Sequence, residues 1–278
     1  MGLLVVSSAA AQQAADTSAT SRKSFKAPRV PYGKAERYFV VGGGWAYANA
    51  IDQGQSRSLF SSDIAAFSIQ AGMLKRRTRS LSEFTYQYAQ ATLTPASLYT
   101  EVSYQRFDVG YRYLTRVWYL PRGVSLFAGG EFANTIVRRI NPAFSNNGLT
   151  FESISSLSAA VAATWPFTLW KRQWQLNANF SMPLVAYVAR PTYATTTQTR
   201  FQVDEGLSDY LDQGTIVGPD RLLRLSFLWS LDYRITNGNA LRLSYGWDVY
   251  RYSPAASANA TGVQSALHTL AVGWLIRF

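Results

Sequence analysis

A single histidine, His268, and no cysteine stand in a chain of 278 residues. Thiolate nucleophiles, disulfide frameworks and cysteine-ligated metals are therefore outside its chemistry. One imidazole cannot build a histidine-rich metal site either. His268 is the obvious candidate for acid–base work, but Thr269 and Leu270 follow it, so no His-x-Ser pattern is present. It shares its parity with Leu270 and Phe278 and so belongs to the apolar face of a strand; a Ser/His pair would need a bulge to turn it round. The other chemistry-bearing residues are Glu83, Gln87, Arg106, Asp108, Arg112, Glu131, Arg224, Asp232, Arg242 and Asp248, each beside an apolar neighbour and on the inward parity of its strand. Because both signs occur, and because an isolated buried charge is costly, the expectation is a network of ion pairs rather than an acid–base couple. No cofactor or metal site is expected.

The elements that would hold these residues have a period of two. From Leu222 to Arg234, Leu223, Leu225, Phe227, Trp229, Leu231 and Tyr233 share one face, and Arg224, Ser226, Ser230, Asp232 and Arg234 share the other; Leu222 and Leu228 do not fit. A helix would scatter the same residues around its circumference. Asn237-Gly238 follows, the strongest short hairpin signal, and Leu241 to Val249 alternates again. The pattern extends back through Trp174 to Met182, Leu157 to Trp165, Val124 to Phe132, Phe107 to Tyr113, Phe84 to Tyr88, Phe67 to Met73 and Phe39 to Tyr47. With the C-terminal strand it predicts about ten strands, with eight to twelve the allowed range, over residues 36–278.

Connections alternate in length. Arg76 to Ser80, Arg116 to Arg122, Phe167 to Arg172 and Ile235 to Asn239 are short, whereas Ile51 to Ser62, Arg139 to Thr150, Arg190 to Asp220 and Ser253 to Gln264 are long; Thr94 to Ser97 is the tight exception. Short turns at one end and long loops at the other are the layout of a transmembrane barrel, periplasmic and extracellular respectively. The short turns carry Lys75, Arg76, Arg77, Arg79, Arg116, Arg122, Lys171 and Arg172, with Arg234 at a strand end, which predicts a basic rim. In the longest loop, Val203, Leu207, Tyr210 and Leu211 recur at helical spacing beside Asp204, Glu205, Asp209 and Asp212, without the carboxylate spacing of an EF-hand.

Only 15% of residues are charged and 14% are aromatic, including eight Trp; a soluble domain carries roughly 25% charge. The best candidate for a membrane helix, the uncharged stretch Ser153 to Trp170, holds four serines and a proline, a poor profile for about 20 apolar residues. A closed β-barrel is then the remaining spanning structure. Periodicity alone cannot separate it from a soluble barrel with its apolar row inside, as in lipocalins. Trp118, Trp165, Trp170, Trp174 and Trp274 near strand ends favour the membrane form, where an aromatic girdle sits. At the other terminus, Met1 to Ala11 reads as a shortened export signal ending in Ala9-Ala10-Ala11, and residues 12–35 as a basic linker.

The chain closes on Leu270, Val272, Trp274, Ile276 and Phe278 at alternate positions, with Leu275 the apolar exception on the other parity. This resembles the C-terminal assembly signal of bacterial outer-membrane β-barrel proteins. The resemblance implies an all-β, closed antiparallel transmembrane β-barrel in a Gram-negative outer membrane, with outer-membrane lipids and the barrel-assembly machinery as partners. Barrel enzymes of that membrane generally use a histidine, which the parity of His268 disfavours here. It does not imply an activity, since the architecture hosts many. The function expected is non-enzymatic, as a structural or accessory subunit with other envelope proteins; a narrow channel is the alternative and a hydrolase a more distant one. Nucleic acid is not expected as a partner.

Overall fold

The computed structural model describes residues 35–53, 56–62, 66–77, 79–95, 101–142, 149–190, 214–235, 237–254 and 262–278. The export-like segment, the linker up to residue 34 and the helical spacing at Val203 to Leu211 lie outside the described residues.

Among the described residues, twelve β-strands form one antiparallel sheet. They are β1 (Glu36–Asp52), β2 (Ser56–Ser62), β3 (Ala66–Arg76), β4 (Ser80–Pro95), β5 (Val102–Tyr119), β6 (Ser125–Ile140), β7 (Leu149–Leu169), β8 (Arg172–Ala189), β9 (Thr215–Val217), β10 (Leu222–Arg234), β11 (Ala240–Tyr252) and β12 (Val263–Arg277). The sheet closes on itself: β1 pairs with β12 along its length, from Tyr38 opposite Arg277 to Asp52 opposite Val263. β2 and β3 occupy one place between β1 and β4, and β9 and β10 both pair with β8. Twelve strands thus fill ten places around the ring, in agreement with the strand count read from the sequence. Closure through the β1–β12 and β8–β10 pairings joins the ring, as a backbone in hydrocarbon requires, while the short β9 pairs with β8. Among the described residues no helix is long and apolar enough to cross a membrane.

Alternation decides which face is which. Phe39, Val41, Trp45, Leu223, Trp229, Leu241, Leu243, Tyr245 and Val272 are exposed on the outer wall, while their polar neighbours are buried inside. A soluble barrel would have the reverse arrangement. The residues that broke the pattern are interior ones. Leu222 packs with Ile154, Val188, Tyr250 and Val263, and Leu275 packs with Tyr38, Leu74, Leu81, Leu114 and Phe127 near the short turns. The interior is therefore partly apolar.

Several boundaries differ from the sequence expectation. Ile51 to Ser62 is not a bare connection, because β1 runs to Asp52 and β2 follows it. β5 continues to Tyr119 through a register shift between Arg116 and Trp118, so the turn is Pro121–Gly123. The β7–β8 turn is only Trp170-Lys171. In each case pairing outlasts apolar alternation.

Candidate functional site: a charge-paired lumen

Inward positions of the strands bring the predicted charged residues together in the lumen. Nearest the short turns, alternating charges form a chain. Asp232 accepts from Arg76 at 2.7 Å and from Arg242 at 2.7 Å; Arg242 lies 3.8 Å from Glu83; Arg112 lies 3.5 Å from Glu83 and 2.6 Å from Glu131. Gln175 and Asn177 extend the chain through Arg76, and Asn177 also donates to Ser230 and Asp232. Arg76, expected in the basic rim, therefore belongs to the lumen, because β3 continues far enough to turn its guanidinium inward over the Tyr38 ring.

Mid-barrel, Arg106 and Arg224 alternate with Asp108 and Asp248 in a square. Arg106 bonds Asp108 at 2.8 Å and Asp248 at 2.9 Å, and Arg224 lies 3.0 Å from Asp248 and 3.5 Å from Asp108. Thr135 donates to Asp108 at 2.6 Å, and Ser226 donates to Asp248. A cavity of about 160 Å³ is lined by members of both groups, including Glu83, Arg112, Arg106 and Asp248. It lies where the inward row narrows to Gly72, Gly110 and Gly246. That volume has room for several waters, and buried Nη1 groups of Arg106 and Arg224 make no hydrogen bond within the protein. Gln87 also lines it.

Toward the long-loop end a second square appears that the sequence reading did not identify. Arg139 lies 3.3 Å from Asp52 and 3.6 Å from Glu152; Arg190 lies 3.1 Å from Glu152 and bonds Asp52. Tyr250 donates to Glu152 at 2.5 Å and accepts from Arg139 at 3.2 Å, and the Arg139 guanidinium lies over Tyr104. Extending the inward parity of Glu131 along β6 reaches Arg139, a usable signal that was hidden by treating Arg139 to Thr150 as loop.

Seven cations (Arg76, Arg106, Arg112, Arg139, Arg190, Arg224, Arg242) thus meet seven anions (Asp52, Glu83, Asp108, Glu131, Glu152, Asp232, Asp248) in three separately neutral groups. Neutrality within each group matters, because an unbalanced charge in a narrow interior would have to be hydrated or neutralised.

His268 stands apart. It lies on the outer wall in a lateral row with Tyr47, Trp247, Phe227 and Phe180 on adjacent strands. Its Nδ1 is 2.8 Å from the Tyr245 hydroxyl. This is the position of an interfacial aromatic band. The C-terminal residues Leu270, Val272, Trp274, Ile276 and Phe278 are exposed on the same wall, and the Phe278 amide donates to the Arg37 carbonyl at 3.2 Å.

Among solved structures, the chain is similar to the outer membrane protease OmpT from Escherichia coli, with 9% identity, a TM-score of 0.51, and coverage of 87% of this chain and 97% of that one. Neisserial surface protein A matches with 12% identity and a TM-score of 0.38, over 88% of this chain and 100% of that one. The translocator domain of the autotransporter NalP from Neisseria meningitidis matches with 8% identity and a TM-score of 0.40, over 97% and 98%. No family model and no curated protein matches the sequence. The likeness to OmpT is one of fold: the chain is an antiparallel β-barrel of the outer-membrane kind.

Proposed function

We propose that this chain is a non-enzymatic outer-membrane barrel with a closed lumen, serving as a structural or accessory subunit alongside other envelope proteins. The observation that carries the reading is the pairing of lumen charges into three neutral groups at successive depths. A conducting pore needs a continuous hydrated path, whereas here the inward arginines reach across and bond carboxylates of distant strands, as Arg76 does with Asp232. Placement of His268 among lipid-facing aromatics supports the non-enzymatic part, since a base there has no lumen or cleft to serve. The short turns then face the periplasm and the long connections the exterior. Leu270 to Phe278, exposed in a row, suit presentation to the barrel-assembly machinery.

Planar-bilayer recording tests it. The wild-type barrel is expected to give little or no steady single-channel current; large, steady conductance would overturn the closed-lumen reading. The cavity beside the central square favours one second reading, a narrow channel whose path passes Asp108 and Asp248. Under that reading conductance is present and changes its ion preference in Asp108→Asn.

A further inference from the structure

At the short-turn end, two neighbouring hairpins differ from everything around them. Among the described residues, only three other than glycine have positive φ: Arg122 (66°), Trp170 (50°) and Lys171 (60°). All three lie at the tips of β5–β6 and β7–β8. The left-handed region is unfavourable for a non-glycine residue, whose Cβ crowds the following carbonyl oxygen. The β10–β11 hairpin at the same end avoids that cost by placing Gly238 there, at 87°. Bulky residues held in such a backbone point to a use for their side chains.

What those side chains offer is specific. Trp170 is 82% exposed, and Val117 and Trp118 are also exposed. Trp165 and Leu169 continue the outward, lipid-facing row of β7 down to the tip. Arg116, Arg122, Lys171 and Arg172 stand among them, and the Arg116 guanidinium lies 5.5 Å from the Tyr119 ring centroid. The sequence has no Asp or Glu in 109–130 or 153–203. The four cations make no ion pair among the described residues, in contrast to Arg234, which pairs with Glu36 at 3.0 Å at the same end. The β5–β6 tip also lies beside β7: a methyl group placed on Gly123 would be 3.6 Å from the Pro166 ring.

We infer that these two hairpins form one binding surface for anionic phospholipid, headgroup phosphates resting along the row of four cations and acyl chains on the adjoining apolar wall. An acidic soluble protein would need the cations alone. The continuous apolar row from Val161 through Trp165 to Leu169 supplies a surface for hydrocarbon, and the cations sit where that row ends. Interfacial tryptophans and snorkelling cations each occupy this depth in membrane proteins. Here they are concentrated in one acid-free corner, which selects for headgroup charge.

The test uses the whole purified chain in phosphatidylcholine vesicles. Tryptophan quenching by brominated phosphatidylglycerol is compared with quenching by brominated phosphatidylcholine. Half-quenching is expected at about fivefold lower mole fraction of the anionic lipid, the effect of about one cation near an anionic surface. Changing Arg116, Arg122, Lys171 and Arg172 together to Gln is expected to abolish the difference, while Arg77→Gln with Arg79→Gln on the β3–β4 turn leaves it intact. Folding is checked by the heat-dependent shift on SDS gels. If the fourfold variant does not fold, Arg122→Gln with Lys171→Gln at the tips alone is expected to reduce the selectivity at least twofold. Equal quenching by both lipids in the wild type overturns the inference, also where acidic polypeptides bind. Selectivity that survives in a folded variant overturns it as well.

Discussion

Two squares of alternating charge, each of two arginines and two carboxylates, sit at different depths of the same lumen. In the long-loop square of Arg139, Arg190, Asp52 and Glu152, side-chain exposure is 1–4%. In the central square, Arg106 is 2% exposed, but Asp248 and Asp108 are 15% and 21% exposed. The difference comes from what surrounds them. Tyr104, Tyr250 and the cluster containing Leu222, Val263 and Ile154 close the first square in, while the cavity borders the second. The same chemical motif is thus dry in one place and open to water in the other, and its energetic meaning differs accordingly.

The largest effect is expected in the dry square. Removing one partner of a buried pair leaves a charge without compensation, which costs about 3–5 kcal/mol. Glu152→Ala leaves Arg139 and Arg190 to share Asp52, an excess of one buried positive charge, and removes the acceptor of the Tyr250 hydroxyl. The temperature at which the folded band disappears on SDS gels should fall sharply. A fall no greater than that of central-square variants would show that this end is hydrated as well. Asp52→Ala should behave similarly, and the double variant, which leaves two buried arginines with no carboxylate, should cost more than the two single losses added together.

A smaller loss is expected for Asp108→Ala in the central square. Water in the cavity can take over part of the solvation of Arg106 and Arg224, so the cost should approach the 1–3 kcal/mol of a lost hydrogen-bond acceptor. Thermal shift on gels measures it, and Asp248→Ala gives an independent comparison. The comparison of squares fails if Asp108→Ala is as damaging as Glu152→Ala. Brief, low-conductance openings in Asp108→Ala but not in Glu152→Ala would sharpen it, since only the central square borders open volume.

The contrast between squares also explains what could be read from the sequence. Central and short-turn charges such as Arg106, Asp108, Arg112, Glu131, Asp232 and Arg242 lie where lipid-facing neighbours are apolar, so period-two alternation marks them as inward. The dry square lies past the apolar belt. There the outward row is mixed, with Asn49, Arg138, Gln264 and Arg251 interspersed among Ile51, Ile140 and Phe151, and alternation weakens although hydrogen-bonded pairing continues. Asp52, Arg139 and Arg190 therefore read as loop, and Glu152 fell between a loop and the strand that begins at Leu157. Arg76 was hidden differently, by standing among Lys75, Arg77 and Arg79 in a basic run. Which parity faced out needed the three-dimensional ring, since alternation is identical in a soluble barrel. Leu222 and Leu275, misfits in the alternation, were in fact the signature of apolar plugs inside the lumen.

The smallest effect is expected where the pairing meets bulk water. Arg234 and Glu36 form a bidentate contact, at 3.3 and 3.0 Å, at the short-turn mouth, with side chains 30% and 26% exposed. Geometry is as good here as in either square, so contact distance alone would predict an equal loss on removal. Solvation predicts otherwise: each charge is hydrated when its partner is lost, and the pair is worth about 0–1 kcal/mol. Glu36→Ala should shift the gel transition barely at all, and the small shift should shrink further in high salt, which screens an exposed pair far more than a buried one. Glu152→Ala should keep its large shift under the same salt. If Glu36→Ala proved as costly as Glu152→Ala and equally indifferent to salt, depth in the lumen would not be what sets the strength of these pairs, and the contrast between the two squares would have to rest on bond geometry instead.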